Sequence, residues 1–131
     1  MQNDVNDRYP LVSILCPCKN REKTIRRCIN SILAQDYPSI EIIVQDGAST
    51  DGTLEILQSY GQRIQLISEP DSGPEDAFGR TLARIRGTFF GLCLSDEELL
   101  PNAVSWAVEN LQKYPEVAAI YGDTYLTDID G

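Results

Sequence analysis

The sequence predicts an α/β domain, a mostly parallel sheet with helices on both faces. Three observations predict it. Apolar runs recur along the whole chain, and segments with helical periodicity separate them. Several of these runs are apolar without alternation, as strands covered on both faces are. Each unusual polar cluster directly follows such a run, at the carboxyl end where ligands bind in sheets of this kind.

The elements follow in order. "LVSILC" (11–16) is an almost unbroken apolar run ended by Pro17, and it reads as a buried strand. Asn20 offers an N-cap for a helix over about 21–35, where Ile25, Cys28, Ile29, Ile32 and Leu33 form a stripe at i, i+3, i+4, i+7 and i+8. Pro38 stops it. "IEIIVQ" (40–45) is a second strand, and "DGASTDG" after it has the composition of a turn. Asp51 is the expected cap of a short helix over about 53–60 that turns Leu54, Leu57 and Tyr60 inward. A third strand is read at "IQLIS" (64–68). The loop "EPDSGPED" leads to a helix near 75–86, closed by Gly87. "TFFGLCL" (88–94) is a fourth strand. Pro101 suits the first turn of a helix over about 101–113, striped by Val104, Ala107, Val108 and Leu111. "VAAIY" (117–121) reads as a last strand.

With 131 residues, 42% of them hydrophobic, the chain is long enough for one domain with a real core. No run reaches the roughly 20 apolar residues of a membrane span, and residues 1–9 read as a polar tail without the features of a signal peptide. A soluble, cytoplasmic protein is expected. The net charge of −9 repels nucleic acid and anionic lipid. The chain has no histidine, which excludes Ser-His-Asp and Cys-His catalysis and any His-ligated zinc. Cys16, Cys18, Cys28 and Cys93 are expected to be reduced, because Cys16-x-Cys18 is not a redox or zinc spacing and the others sit in apolar segments. Cys18 is expected at an exposed strand end.

Three polar clusters end strands. Pro17-Cys18-Lys19-Asn20 reads either as a strand terminator with a helix cap or as a ligand contact. Asp46 stands where the second strand opens to solvent, as a loop-stabilising acceptor or a ligand contact. Neither G-x-G-x-x-G nor a Walker A pattern is present. After the fourth strand, Asp96, Glu97 and Glu98 form an anionic triplet. It reads as the charged start of a helix, or as hard oxygen ligands suited to Mg²⁺ or Mn²⁺ rather than zinc. Such a cation would bridge a carboxylate to a substrate diphosphate and let an acidic domain hold an anion.

Together these segments resemble the inverting family 2 glycosyltransferases, whose catalytic domain has the Rossmann-like GT-A fold. "VSILCPCKN" resembles the family's V-S-I-I-T-P-T-Y-N, and "SILAQDYPSIEIIV" its S-V-L-x-Q-x-Y-x-x-x-E-I-I-V. "DGASTDGTLEIL" resembles the D-G-G-S-T-D-G-T variant of the next motif. "SEPDSGPEDAFGRTL" resembles S-E-x-D-x-G-x-x-D-A-x-N-K-G, and "CLSDEELLPNA" resembles the metal-binding L-N-S-D-D-x-x-x-P-x-A. The five blocks occur in order within residues 10–123, which is then the nucleotide-sugar-binding domain.

The resemblance implies a central first strand, flanked by the second and third on one side and the fourth on the other. It implies a nucleoside-diphosphate sugar as donor, a UDP-sugar favoured, with Mn²⁺ or Mg²⁺ as cofactor. By motif position Pro17, Cys18 and Lys19 would flank the base and ribose, Asp46 would lie beside the base, and Asp76 would stand near the phosphates. Asp96 would reach the ribose or the metal's waters, and Glu97 would be the principal metal ligand. Transfer to an unknown sugar, lipid or protein acceptor, with inversion, in polysaccharide biosynthesis at the inner membrane face, completes the expectation.

Departures from the motifs are specific. Lys19 replaces an aromatic residue, Gly47 stands where a second acid is common, Gly79 replaces an asparagine, and Glu97 replaces an aspartate. The resemblance places the acceptor half and the catalytic aspartate beyond the last residue, so no residue is assigned as catalytic. Residues 124–131 are read as the end of an inactive fragment whose exposed edge could drive self-association. A non-catalytic interaction domain of the same fold is the alternative. A receiver-type signalling module fails at all three strand ends where it needs an acidic pair, an aspartate and a lysine.

Overall fold

In the computed structural model, residues 8–128 and 130 are described. They form four strands, β1 (Val12–Cys18), β2 (Ile40–Asp46), β3 (Gln65–Ser68) and β4 (Phe89–Leu92). Four α-helices accompany them, α1 (Ile25–Leu33), α2 (Thr53–Gln58), α3 (Pro74–Leu82) and α4 (Ala103–Lys113). The sheet order is β3-β2-β1-β4 and every pairing is parallel, so the expected central first strand is found.

Continuous apolarity in β1 and β2 has the cause inferred from it. Val12, Ile14, Cys16 and Cys18 face one side with Ile42 and Val44, packing against Ile25, Cys28, Ile29 and Ile32 of α1, Leu57 of α2, and Val104 and Val108 of α4. Alternate residues face the other side, where buried Leu15, Ile43 and Gln45 lie in the layer covered by Ala77 and Thr81 of α3. Helices therefore cover both faces.

Several boundaries differ from expectation, each for a local reason. α1 starts at Ile25 after a turn, with Thr24 at the N-cap, because Asn20 is spent elsewhere. Gly87 ends no helix: α3 stops at Leu82, and a Cβ at Gly87 would stand 2.6 Å from the Leu11 carbonyl oxygen. Glycine is needed there for close approach, since the Gly87 N–H also reaches Ser13 Oγ at 2.9 Å. Pro101 and Asn102 form a turn, and α4 starts only at Ala103.

Residues 117–121 form no strand. Apart from half-buried Ile120 they run exposed through an irregular segment, because no described strand lies beside them to complete a hydrogen-bond ladder. The polar tail read at 1–9 lies outside the described residues except for Arg8 and Tyr9. Tyr9 packs edge-on against Tyr37, ring centroids 5.8 Å apart. Among the described residues, no helix is long and apolar enough to cross a membrane.

Candidate functional site

The sheet ends in a step. β1 pairs with β2 to its last residue, Cys18 opposite Asp46, but with β4 only as far as Leu15 opposite Leu92. Pro17 and Cys18 therefore project past β4, and the chain leaving β4 turns away through Leu94–Glu97, closed by Glu97 N–H to Leu94 O at 2.9 Å. A cleft of about 370 Å³ occupies this step. Pro17, Cys18 and Lys19 line one side, Leu94, Ser95 and Asp96 another, and Asp71, Gly73, Pro74 and Ala77 the third, with Arg21 at the rim.

The loops after β1 and β2 are laced into one rim. Asn20, at φ +54, accepts the Thr50 N–H on Oδ1 at 2.9 Å and donates its own N–H to Ser49 Oγ at 2.8 Å. Arg21 N–H reaches Thr53 Oγ1 at 2.7 Å, and Glu22 Oε2 accepts the Gly52 N–H at 2.8 Å. Asp51 accepts the Thr53 N–H at 2.9 Å and the Thr53 hydroxyl at 2.5 Å, and that hydroxyl above all holds its carboxyl below the ordinary range. Asp51 thus does the capping work expected of it, although Gly52 takes the N-cap position.

Asp46 is fully buried. Its Oδ2 accepts Ser68 Oγ at 2.7 Å and the Ser49 N–H at 3.2 Å, while Oδ1 accepts the Ser49 hydroxyl and faces Cys18 Sγ at 3.9 Å. The loop-acceptor reading describes this geometry, because every oxygen is taken by the protein. Burial, and after it the charge of Asp46, pushes the Cys18 thiol well above its usual range. Cys18 is therefore buried rather than exposed, and it meets the cleft as a neutral apolar wall.

The acidic triplet sits in the β4–α4 connection, five residues and more before α4, so a helix start does not account for its charge. Its carboxylates separate. Asp96 lines the cleft with Oδ2 4.0 Å from Arg21 Nε. Glu97 turns one oxygen back onto the Leu94 N–H at 2.9 Å. Glu98 is paired with Arg27, whose Nε lies 2.6 Å from Oε1. Among the described residues, no three acidic or cysteine side chains converge as a ready-made metal cage. A single cleft carboxylate with a second beside it still fits Mg²⁺ or Mn²⁺, which take one or two carboxylates and complete their shell with water and substrate phosphate.

Asp76 lies apart. It sits in the first turn of α3, accepts the Ser72 N–H at 2.9 Å and pairs with Arg80 at 2.9 Å, and Arg80 above all holds its carboxyl below the ordinary range. The structure thus gathers Pro17, Cys18, Lys19 and Asp96 in one cleft, leaves Asp46 against Cys18 and Glu97 on the Leu94 N–H without lining it, and leaves Asp76 in an ion pair. Arg21 and Asp71 were missed by sequence reasoning because both lie in loops, where no periodicity marks them. A second cleft of about 570 Å³ shares Arg21 and Asp96 and is walled by residues 20–24, Arg27, Asp51, Thr127 and Asp128.

Comparisons with known proteins fit this arrangement. The family model described as "Glycosyl transferase family 2" matches residues 13–126. The chain is 35% identical over 127 residues to a chondroitin synthase of Escherichia coli, covering 95% of this chain and 18% of that protein. It is 32% identical over 128 residues to a hyaluronan synthase of Pasteurella multocida, covering 95% of this chain and 13% of that one. Among solved structures, S. aureus TarS 1–349 in complex with UDP-GlcNAc superposes with a TM-score of 0.75 at 26% identity, over 80% of this chain and 32% of that one. The mannosyltransferase PcManGT from Pyrobaculum calidifontis, in complex with GDP-Man and Mn²⁺, gives 0.73 at 26% identity, over 78% and 32%. The chain spans less than a fifth of the length of these curated relatives.

Proposed function

The chain belongs to glycosyl transferase family 2, with the GT-A type of α/β fold, and we propose that its sheet-end cleft holds the nucleoside diphosphate of a sugar donor, a UDP-sugar favoured, through a divalent cation. The observation that carries this reading is the convergence of Pro17, Cys18, Lys19 and Asp96, from the ends of two parallel strands, on one cleft of about 370 Å³.

Charge supports the cation. The cleft's two cationic side chains, Lys19 and Arg21, are matched by two anionic ones, Asp71 and Asp96, on a chain of net charge −9. A bare diphosphate gains little there. Asp96 and Glu97 would hold Mn²⁺ or Mg²⁺, which would reverse the local sign and supply positive charge to the diphosphate leaving group. Pro17 and Cys18 supply an apolar wall for the nucleoside, and Lys19 a charge near it. Sugar transfer to an acceptor hydroxyl with inversion, in polysaccharide synthesis, is the activity we assign to the whole enzyme of which this cleft is the donor side. The named activities of the chondroitin and hyaluronan synthases support that assignment.

The test is calorimetric titration of UDP into the chain with Mn²⁺, with Mg²⁺ and with chelator. Binding that needs the metal is the expected result. Equal binding with and without metal would overturn the cation's part, and no binding under any of the three conditions would overturn the donor cleft.

A further inference from the structure

Position 47 has no side chain, yet a carboxylate fills its place. A Cβ built on Gly47 would stand 2.7 Å from Asp71 Oδ2, closer than real Cβ contacts come, and a tight 3.1 Å from Asp71 Oδ1 and Cγ. Asp71 arrives from the loop between β3 and α3, whereas Gly47 follows directly on β2. Two chain segments thus contend for one volume, and the missing Cβ concedes it to Asp71. Asp71 lines the sheet-end cleft across from Pro17, Cys18 and Lys19. Asp46, the other acid at this strand end, is fully buried and occupied by Ser49 and Ser68.

We propose that Asp71 is the specificity-determining acid of the cleft, reading the imino N–H of a uracil base from the space that Gly47 leaves open. The assignment rests on the nucleotide reading above. Asp71 Oδ1 accepts the Gly73 N–H at 3.1 Å, and no described residue donates to Oδ2. One free carboxylate oxygen is a single strong acceptor. Uracil offers one matching donor at N3, flanked by two carbonyl oxygens. Guanine offers two adjacent donors and is best met by both oxygens of a free carboxylate. Cytosine places an acceptor at N3, which an anionic oxygen repels. Selectivity of this kind comes from leaving a wrong base unpaired or opposed, and it is large when the group is enclosed.

The experiment titrates UDP and CDP, each with Mn²⁺, into the 131-residue chain and into the variants Asp71→Asn and Gly47→Ala. The wild type should prefer UDP at least tenfold. Asp71→Asn should lower that preference fivefold or more with an unchanged melting temperature, because a carboxamide can donate to cytosine N3. Gly47→Ala removes no charge but pushes the Asp71 carboxylate aside, and should lower the preference in the same direction. A folded Asp71→Asn variant that keeps the wild-type UDP:CDP ratio would overturn the assignment. So would one that binds neither nucleotide, since a base-reading acid does not hold the diphosphate. A wild type that binds UDP and CDP alike would overturn it too, with the donor cleft intact. A wild type that binds neither would overturn the donor cleft itself and this assignment with it.

Discussion

Arg86 holds Glu41 with its main chain and its side chain together. Its N–H donates to Glu41 Oε1 at 2.8 Å, its Nε donates to Oε2 at 2.8 Å, and Ser13 Oγ donates to Oε1 at 2.6 Å. The Glu41 side chain is only 10% exposed, so this cluster ties the lead-in to β4 onto β1 and β2 from below.

Acid stability follows from that cluster. Burial raises the Glu41 carboxyl, but the bonds from Ser13 and Arg86 outweigh it and hold the group below its ordinary value. A depressed folded pKa contributes stability that is complete above the unfolded value of about 4.3 and drains as pH falls through the folded one. Urea denaturation between pH 6 and pH 3 should show this loss. Glu41→Gln should cost roughly 2 kcal/mol at pH 6 and flatten the acid limb. An unchanged slope in the variant would show that Glu41 does not set it.

Asp46 should matter to folding before it matters to a ligand. Asp46→Ala leaves the Ser49 and Ser68 hydroxyls and the Ser49 N–H without their acceptor in a buried place, at a cost of roughly 3 kcal/mol. The thermal midpoint should fall accordingly. A variant as stable as wild type would return Asp46 to the list of ligand contacts.

Ala48 holds φ at +55, a region that its Cβ disfavours. Ala48→Gly should therefore stabilise the chain by about 1 kcal/mol, seen as a higher urea midpoint at constant m. A lower midpoint would mean that the added freedom of the unfolded chain outweighs the relieved strain.

The triplet should divide by function. Glu97→Gln keeps an oxygen for the Leu94 N–H but removes the charge, so it should abolish metal-dependent UDP binding without a change in melting. Asp96→Asn should weaken the same binding. Glu98→Gln loses only an exposed pair with Arg27, worth less than about 1 kcal/mol, and should leave binding intact. Equal losses at Glu97 and Glu98 in a calorimeter would count against the site.

All four cysteines are free and buried, and Cys28 Sγ lies 3.8 Å from Cys16 and 3.7 Å from Cys93. A disulfide reagent should find four thiols in the denatured, unreduced chain and react far more slowly in the native one. The Cys16 thiol beside Cys28 and the Cys28 thiol beside Cys93, with burial after them, push the Cys28 and Cys93 thiols up, which keeps them protonated. Fewer than four thiols would show that a bond had formed.

The sequence was most readable where burial was greatest. β1 and β2 lie between two helical layers, and that position left an unbroken apolar signature. The segment 117–121 carries a similar signature without the structure, because a strand needs a neighbour and composition does not supply one. A motif at a strand end marks the residues that line one cleft together, Pro17 to Lys19 and Asp96. Pairing within the protein set the others apart: Asp46 is buried against serine hydroxyls and Asp76 is ion-paired with Arg80, which no spacing reveals. Asp71 became meaningful only through the empty position beside it, a relation between residues 24 apart in sequence.

The stagger between β1 and β4 separates two kinds of inheritance. The ladder that fixes the sheet closes at Leu15 opposite Leu92, and Asp96 and Glu97 come only after it. A residue inserted between Leu94 and Pro101 would move those carboxylates without shifting one rung. The mouth of such a protein is free to drift toward new ligands while its scaffold keeps still.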